Sequence, residues 1–123
     1  LGWLDITGVI AWLFGFYFEA VGDAQLARFV KDPAHKGKLM QSGLWAYTRH
    51  PNYFGEVVQW WGVWLITLSS MIGWFSIIGP LTITFLILKV SGIPMLEKKM
   101  EKNPEFIEYK RKVSIFFSLP PKR

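Results

Sequence analysis

At 123 residues and 14.2 kDa, with 51% hydrophobic residues, a mean hydropathy of +0.25, 7 Trp and 10 Phe, the chain is one domain or part of one, and too apolar for a small soluble fold. Its net charge of +5 and pI of 9.6 come from basic clusters set between long apolar runs. That pattern fits a membrane protein with basic loops and argues against a nucleic-acid partner. With no cysteine, a disulfide framework, a thiolate zinc site and a cysteine nucleophile are excluded.

The chain starts at Leu1 and no basic segment precedes its first apolar stretch, so a signal peptide is not indicated. A span this close to the first residue leads us to expect further membrane helices ahead of it. Trp3 to about Val21 is the first predicted span, apolar except for Asp5 and Glu19 and rich in small and aromatic residues suited to close packing in lipid. Glu19 and Asp23, four apart, share a helical face at its inner end, with Arg28 about a turn beyond. Lys31-Asp32-Pro33-Ala34-His35-Lys36-Gly37-Lys38 reads as a loop.

Pro51 is expected to open the second span, because its fixed φ and missing donor suit a first helical turn. That span runs to about Leu68, Ser69–Gly73 forms a turn, and Trp74 to about Val90 is the third span, with a kink expected at Pro80. No Lys or Arg lies between His50 and Lys89, whereas both flanks are basic. By the positive-inside rule, the Arg28–Arg49 loop and the tail from Lys98 face the cytoplasm. From Leu96 to Lys112 the tail reads as a helix interrupted at Pro104, with Phe106, Ile107, Tyr109 and Val113 as an apolar stripe among lysines suited to acidic lipid. The expected fold is therefore all-α: an integral membrane helical bundle of about three transmembrane helices plus a cytoplasmic interfacial C-terminal helix.

The densest polar stretch, Gly43 to Glu56, stands at the start of the second span. Ionisable groups at a membrane boundary mark a ligand or ion site. Lys36, Lys38 and Arg49 beside a helix N-terminus suit an anion, and Trp45, Tyr47, Tyr53 and Trp60 offer stacking surfaces. Together they suit a nucleotide-like cofactor. Glu56 would repel phosphate, so it should instead meet an amide, an amine or a cationic ring, as a nicotinamide provides. His50 has a simpler reading as a helix cap. His35 and His50, the only histidines, lack the partner spacing of a zinc helix, and no metal is expected. Neither a Gly-x-Gly-x-x-Gly nor a P-loop pattern occurs.

The run Ser42-Gly43-Leu44-Trp45-Ala46-Tyr47-Thr48-Arg49-His50-Pro51-Asn52-Tyr53-Phe54-Gly55-Glu56, followed by Trp60 and Gly62, resembles the C-terminal signature of steroid 5-alpha-reductase-like membrane proteins. Gly22-Asp23-Ala24-Gln25-Leu26, Lys36-Gly37-Lys38 and Ser91-Gly92-Ile93-Pro94-Met95-Leu96-Glu97 resemble further blocks of the bacterial branch, a domain of unknown function. The resemblance covers nearly all of residues 1–123, as the C-terminal portion of such a transmembrane domain. It implies an NADPH-dependent membrane reductase acting on a carbon–carbon double bond in a lipid or steroid-like enone.

On that likeness, Asn52, Glu56 and Trp60 match nicotinamide-side positions, Asp23 matches a cofactor-site aspartate, and Lys38 stands where arginine is usual. The full implied cofactor set is Asp23, Lys36, Lys38, Tyr47, Arg49, His50, Asn52, Tyr53, Glu56 and Trp60. The proton donor is expected on earlier helices. Glu19 stands in place of an asparagine, and Arg49-His50-Pro51 replaces smaller residues. Arg49-His50-Pro51-Asn52-Tyr53-Phe54-Gly55 also resembles the Arg-His-Pro-x-Tyr-x-Gly pattern of isoprenylcysteine carboxyl methyltransferases, with Glu97 and Tyr109 as a partial tail pattern. That likeness implies S-adenosylmethionine instead. A non-enzymatic hairpin anchored on membrane lipids is the third alternative. A bacterial inner membrane is expected ahead of the endoplasmic reticulum.

Overall fold

The computed structural model describes residues 2–36, 38–68 and 75–122. The expected turn at Ser69–Gly73 and the start of the third span at Trp74 lie outside the described residues. Among the described residues the chain is helical with no strand: α1 (Trp3–Lys31), α2 (Pro51–Thr67), α3 (Ile78–Phe85), a π-helical extension (Leu86–Val90), α4 (Ile93–Met100) and α5 (Pro104–Lys112).

Glycine spacing decides how α1 meets α2. Gly8, Gly15 and Gly22 recur every seven residues and so line one stripe of α1. They face Gly62, Gly55 and Pro51 in reverse order, so the helices run antiparallel. A Cβ on Gly8 would lie 2.6 Å from the carbonyl oxygen of Gly62, and one on Gly15 would lie 2.5 Å from that of Gly55. The backbones therefore touch directly. In lipid, where apolar side chains gain nothing by leaving the solvent, this contact is a principal source of association.

At about 1.5 Å per residue, the 29 residues of α1 extend about 43 Å, beyond a hydrocarbon core of about 30 Å. Its last turns, carrying Asp23, Arg28 and Lys31, thus reach the aqueous boundary. Both α1 and the run Ile78–Met100 are long and apolar enough to cross a membrane. Their outer faces expose Trp3, Ile10, Phe14, Ile78 and Phe85, a surface that lipid covers and water would penalise. The protein is a membrane protein. The 17-residue α2 is shorter, about 26 Å along its axis, and ends next to the residues that are not described.

Pro80 sits buried in the first turn of α3, where a missing N–H is tolerated; the stretch ahead of it, where the expected kink would show, lies partly outside the described residues. The irregularity falls later, in Leu86–Val90, where Ser91 and Gly92 N–H groups both donate to the Leu86 carbonyl. A Cβ at Gly92 would lie 2.9 Å from Ile87 Cα, so the break needs glycine there. The break starts a new helix, α4, buries Ile93 and carries Glu97 towards the loop before α2.

The core joins Phe18, Phe54, Val57, Ile87, Ile93 and Phe116. Phe54 meets Phe18 and Phe116 edge-on at centroid distances of 5.1 and 5.4 Å. A smaller cluster of Phe106, Tyr109 and Val113 packs on Leu39 and Met100. Most of the tail's apolar stripe is thus spent inside the protein, and Ile107 alone of the four stays exposed. Asn103 caps α5 by accepting from Glu105 N at 2.9 Å, with Pro104 at the first helical position, so the break expected at Pro104 is a fresh helix start.

Candidate functional site

The loop between α1 and α2 is built to aim polar groups. Gly43 adopts φ of +62°, a conformation that favours glycine, and a Cβ there would lie 2.6 Å from the Gln25 amide. Gln25 Oε1 instead accepts from Leu44 N at 3.1 Å, and the Trp45 indole donates to Gly22 O at 3.0 Å. These bonds tie the loop to the inner end of α1.

From Tyr47 to Arg49 the loop is strapped by the chain's last residues. Arg49 N donates to Ser114 O at 2.8 Å, Thr48 Oγ1 to Phe116 O at 2.7 Å, and Leu119 N to Tyr47 O at 3.0 Å. The Tyr109 hydroxyl donates to Trp45 O at 2.5 Å. Burial pushes the Tyr109 phenol above its ordinary value, Arg49 opposes that shift and Glu97 adds to it.

Arg49 and His50 are buried together with Glu97, which is brought by α4. Arg49 Nη1 lies 3.2 Å from both Glu97 oxygens, and His50 Nε2 lies 2.7 Å from Glu97 Oε2. Burial pulls the Arg49 guanidinium below its ordinary value and the Glu97 carboxylate partly restores it. His50 occupies the cap position of α2, yet its side chain makes no capping bond and turns to Glu97. Arg49 Nε and His50 Nδ1 are buried without a hydrogen-bond partner. Both residues line an apolar cavity of about 200 Å³ together with Lys38, Trp45, Phe106 and Tyr109.

Asn52, Glu56 and Trp60 follow on successive turns of α2. Asn52 Nδ2 donates to Asp23 Oδ1 at 3.2 Å, joining the inner ends of the two helices. One turn deeper, Glu56 and Glu19 line an open cavity of about 310 Å³ with Trp12, Gln59 and Trp60.

The structure therefore divides the expected residues. Asp23 and Asn52 are bonded to each other, and Glu56 shares its cavity with Trp60. Lys38, Arg49 and His50 line the other cavity. Tyr53 packs on the core beside His50, at 5.8 Å between rings. Lys36 and Tyr47 are exposed and line neither cavity. Sequence reasoning missed Trp12 and Gln59 as cavity walls; the signal was their helical spacing, seven before Glu19 and three after Glu56. Among the described residues no group of three His, Asp or Glu is placed to hold a metal ion.

Residues 1–113 match the family described as "Protein of unknown function (DUF1295)". The chain belongs to that family. It is 39% identical over 70 residues to 3-oxo-5-alpha-steroid 4-dehydrogenase 1 of Bos taurus, covering 56% of this chain and 26% of that protein. It is 30% identical over 74 residues to Steroid 5-alpha-reductase DET2 of Arabidopsis thaliana, covering 59% and 28%. To Delta(14)-sterol reductase ERG24 of Saccharomyces cerevisiae it is 32% identical over 93 residues, covering 67% and 19%. The matched region thus spans only about a quarter of the length of the steroid reductases. No solved structure matches the chain. The relatives are named as steroid and sterol reductases, and the DUF1295 chain shares with them this part of the sequence.

Proposed function

We propose that this chain forms the cofactor-holding part of a membrane reductase that uses NADPH to reduce an activated carbon–carbon double bond in a lipid or steroid-like enone. The observation that carries this reading is the cavity between α1 and α2, where Glu56 stands beside the indoles of Trp12 and Trp60 with the Asp23–Asn52 pair a turn away. The names of the reductase relatives support the same chemistry.

The residues present fit the cofactor in two parts. NADPH, when bound, supplies a hydride and leaves its ring positively charged. Glu56 would hold the carboxamide by accepting from its N–H, and its negative charge would favour the cationic ring. Trp60 and Trp12 supply ring faces and keep water from the acceptor. Asp23 holds Asn52 in place. The second cavity, lined by Lys38, Arg49 and His50 with the aromatic walls Trp45 and Phe106, is the place we assign to the phosphate-bearing nucleoside end. Lys36 adds charge at the loop. Tyr47 and Tyr53 flank this region and belong to the proposed set as neighbours of Arg49 and Asn52. The proton for the enone is assigned to helices ahead of this segment.

S-adenosylmethionine is the second reading, because Glu97 is bonded to Arg49 and His50, and these two line one cavity with Tyr109. We place the basic loop and tail on the cytoplasmic face on the charge bias of the loops, and the protein in a bacterial inner membrane on its likeness to the bacterial branch. Calorimetry on the detergent-solubilised full-length protein tests the proposal. NADPH binding that weakens about tenfold or more in Glu56→Gln supports it, on a loss of one charge-assisted bond. Saturable binding of S-adenosylmethionine alone sinks it in favour of a methyltransferase, and binding of neither leaves the lipid-anchored hairpin.

A further inference from the structure

The end of the chain folds back on α5. Lys122 N donates to Lys112 O at 2.8 Å, so the strap and the helix end face each other. Between them lies a cavity of about 210 Å³ lined by Lys110, Arg111, Lys112 and Lys122, with Val113 and Leu119 on its apolar side. Glu108 is the carboxylate next to this group: its Oε1 is 2.6 Å from Arg111 Nη2 and 3.6 Å from Lys112 Nζ. It offsets one charge of the four. Lys110 and Lys122 make no ion pair among the described residues.

The strap beside the cavity alternates in burial. Phe116 is in the core, whereas Ile115, Phe117 and Leu119 are 44%, 65% and 54% exposed. The Phe117 ring lies 6.2 Å from Phe54, in the second turn of α2, and Phe54 lies 6.3 Å from Phe14 of α1. The exposed apolar edge of the strap is therefore level with the lipid-facing part of the bundle, while its end carries unneutralised cations. A wholly solvated tail would leave three large apolar side chains in water for no return. An interfacial position resolves both features, with apolar groups at acyl depth and lysines at headgroup depth.

We propose that the junction of α5 and the C-terminal strap binds the headgroup of an anionic phospholipid, its phosphate held by Lys110, Lys112 and Lys122 and its acyl chains laid over Phe117 and Leu119. The site is separate from both cavities of the proposed cofactor region and does not depend on that reading. It is also not the apolar stripe of α5, which packs inward. Charge complementarity with an anionic leaflet selects the occupant.

The test is a calorimetric titration of the detergent-solubilised full-length protein with dioctanoyl phosphatidylglycerol, dioctanoyl phosphatidylcholine and inorganic phosphate. Phosphatidylglycerol should bind saturably and phosphatidylcholine should not. Lys110→Gln with Lys122→Gln should weaken phosphatidylglycerol binding roughly 25-fold, and added salt should weaken it further. Phe117→Ser, which removes only an exposed ring, should weaken the lipid while far-ultraviolet dichroism stays unchanged. Equal binding of phosphatidylcholine, equal affinity for inorganic phosphate, or lipid binding untouched by the double lysine variant would each overturn the proposal.

Discussion

The polar residues on the two sides of Pro51 live in opposite surroundings. Before it, Arg49 and His50 are buried and held by the Glu97 carboxylate, with loop and strap bonded across them. After it, Asn52 is bonded to Asp23 across the two helices, and a turn deeper Glu56 and Glu19 line an open cavity. One continuous motif therefore does two jobs. Its first half fixes the geometry of the loop and walls the apolar cavity, and its second half leaves Glu56 and Trp60 facing the open one. The cost of burial explains the division: a buried guanidinium must have a carboxylate, whereas a half-exposed carboxylate can remain unpaired.

Glu97→Ala puts the greatest strain on this contrast. It strands Arg49 in a buried site, and a loss of about 3–5 kcal/mol in stability is expected, read by denaturant unfolding in detergent. A loss below about 1 kcal/mol would show that Arg49 relaxes to solvent and that the first half is not structural.

Gly55→Ala comes next, because its Cβ meets the Gly15 carbonyl oxygen and Glu19 N across the seam. Thermal unfolding should register a loss of about 1–3 kcal/mol. The separation of Glu19 from Glu56 should widen with it, so cofactor affinity should fall in parallel.

Tyr109→Phe removes the donor to Trp45 O and should cost about 1–2 kcal/mol. It carries a pH signature as well. The folded state raises the Tyr109 pKa, so it keeps its proton above about pH 10 while the unfolded chain releases it. This contribution is complete below about pH 10 and fades as pH rises from there. The wild type should lose stability along that alkaline arm, and Tyr109→Phe should show a shallower one.

Glu56→Gln is expected to move stability least, within about 0.5 kcal/mol, because Glu56 is partly exposed at an open cavity. Its effect belongs to ligand affinity. A variant that unfolds easily but binds NADPH normally would reverse the assignment of the two halves.

Much of the fold was legible. Pro51 announced the start of α2 through its fixed φ, and apolar length announced α1 and a third apolar stretch, expected over Trp74 to about Val90, that overlaps the run Ile78–Met100. The seven-residue spacing of Gly8, Gly15 and Gly22 was also visible and identifies the α1 face that touches α2. Of the candidate site, helical spacing put Glu19 and Asp23 on one face of α1, and the family resemblance singled out Asn52, Glu56 and Trp60 on α2. The fate of Arg49 and His50 was not legible as spacing, since Glu97 lies 48 and 47 residues away.

The sequence alone thus determined an all-helical membrane chain with its polar groups gathered near one end, because span length, breaker residues and periodicity are local properties. Tertiary structure decided which charges are paired and which are available. That choice depends on where the π-helical break and Gly92 start α4, and on how the strap closes over the loop. Both depend on contacts between residues far apart in the chain.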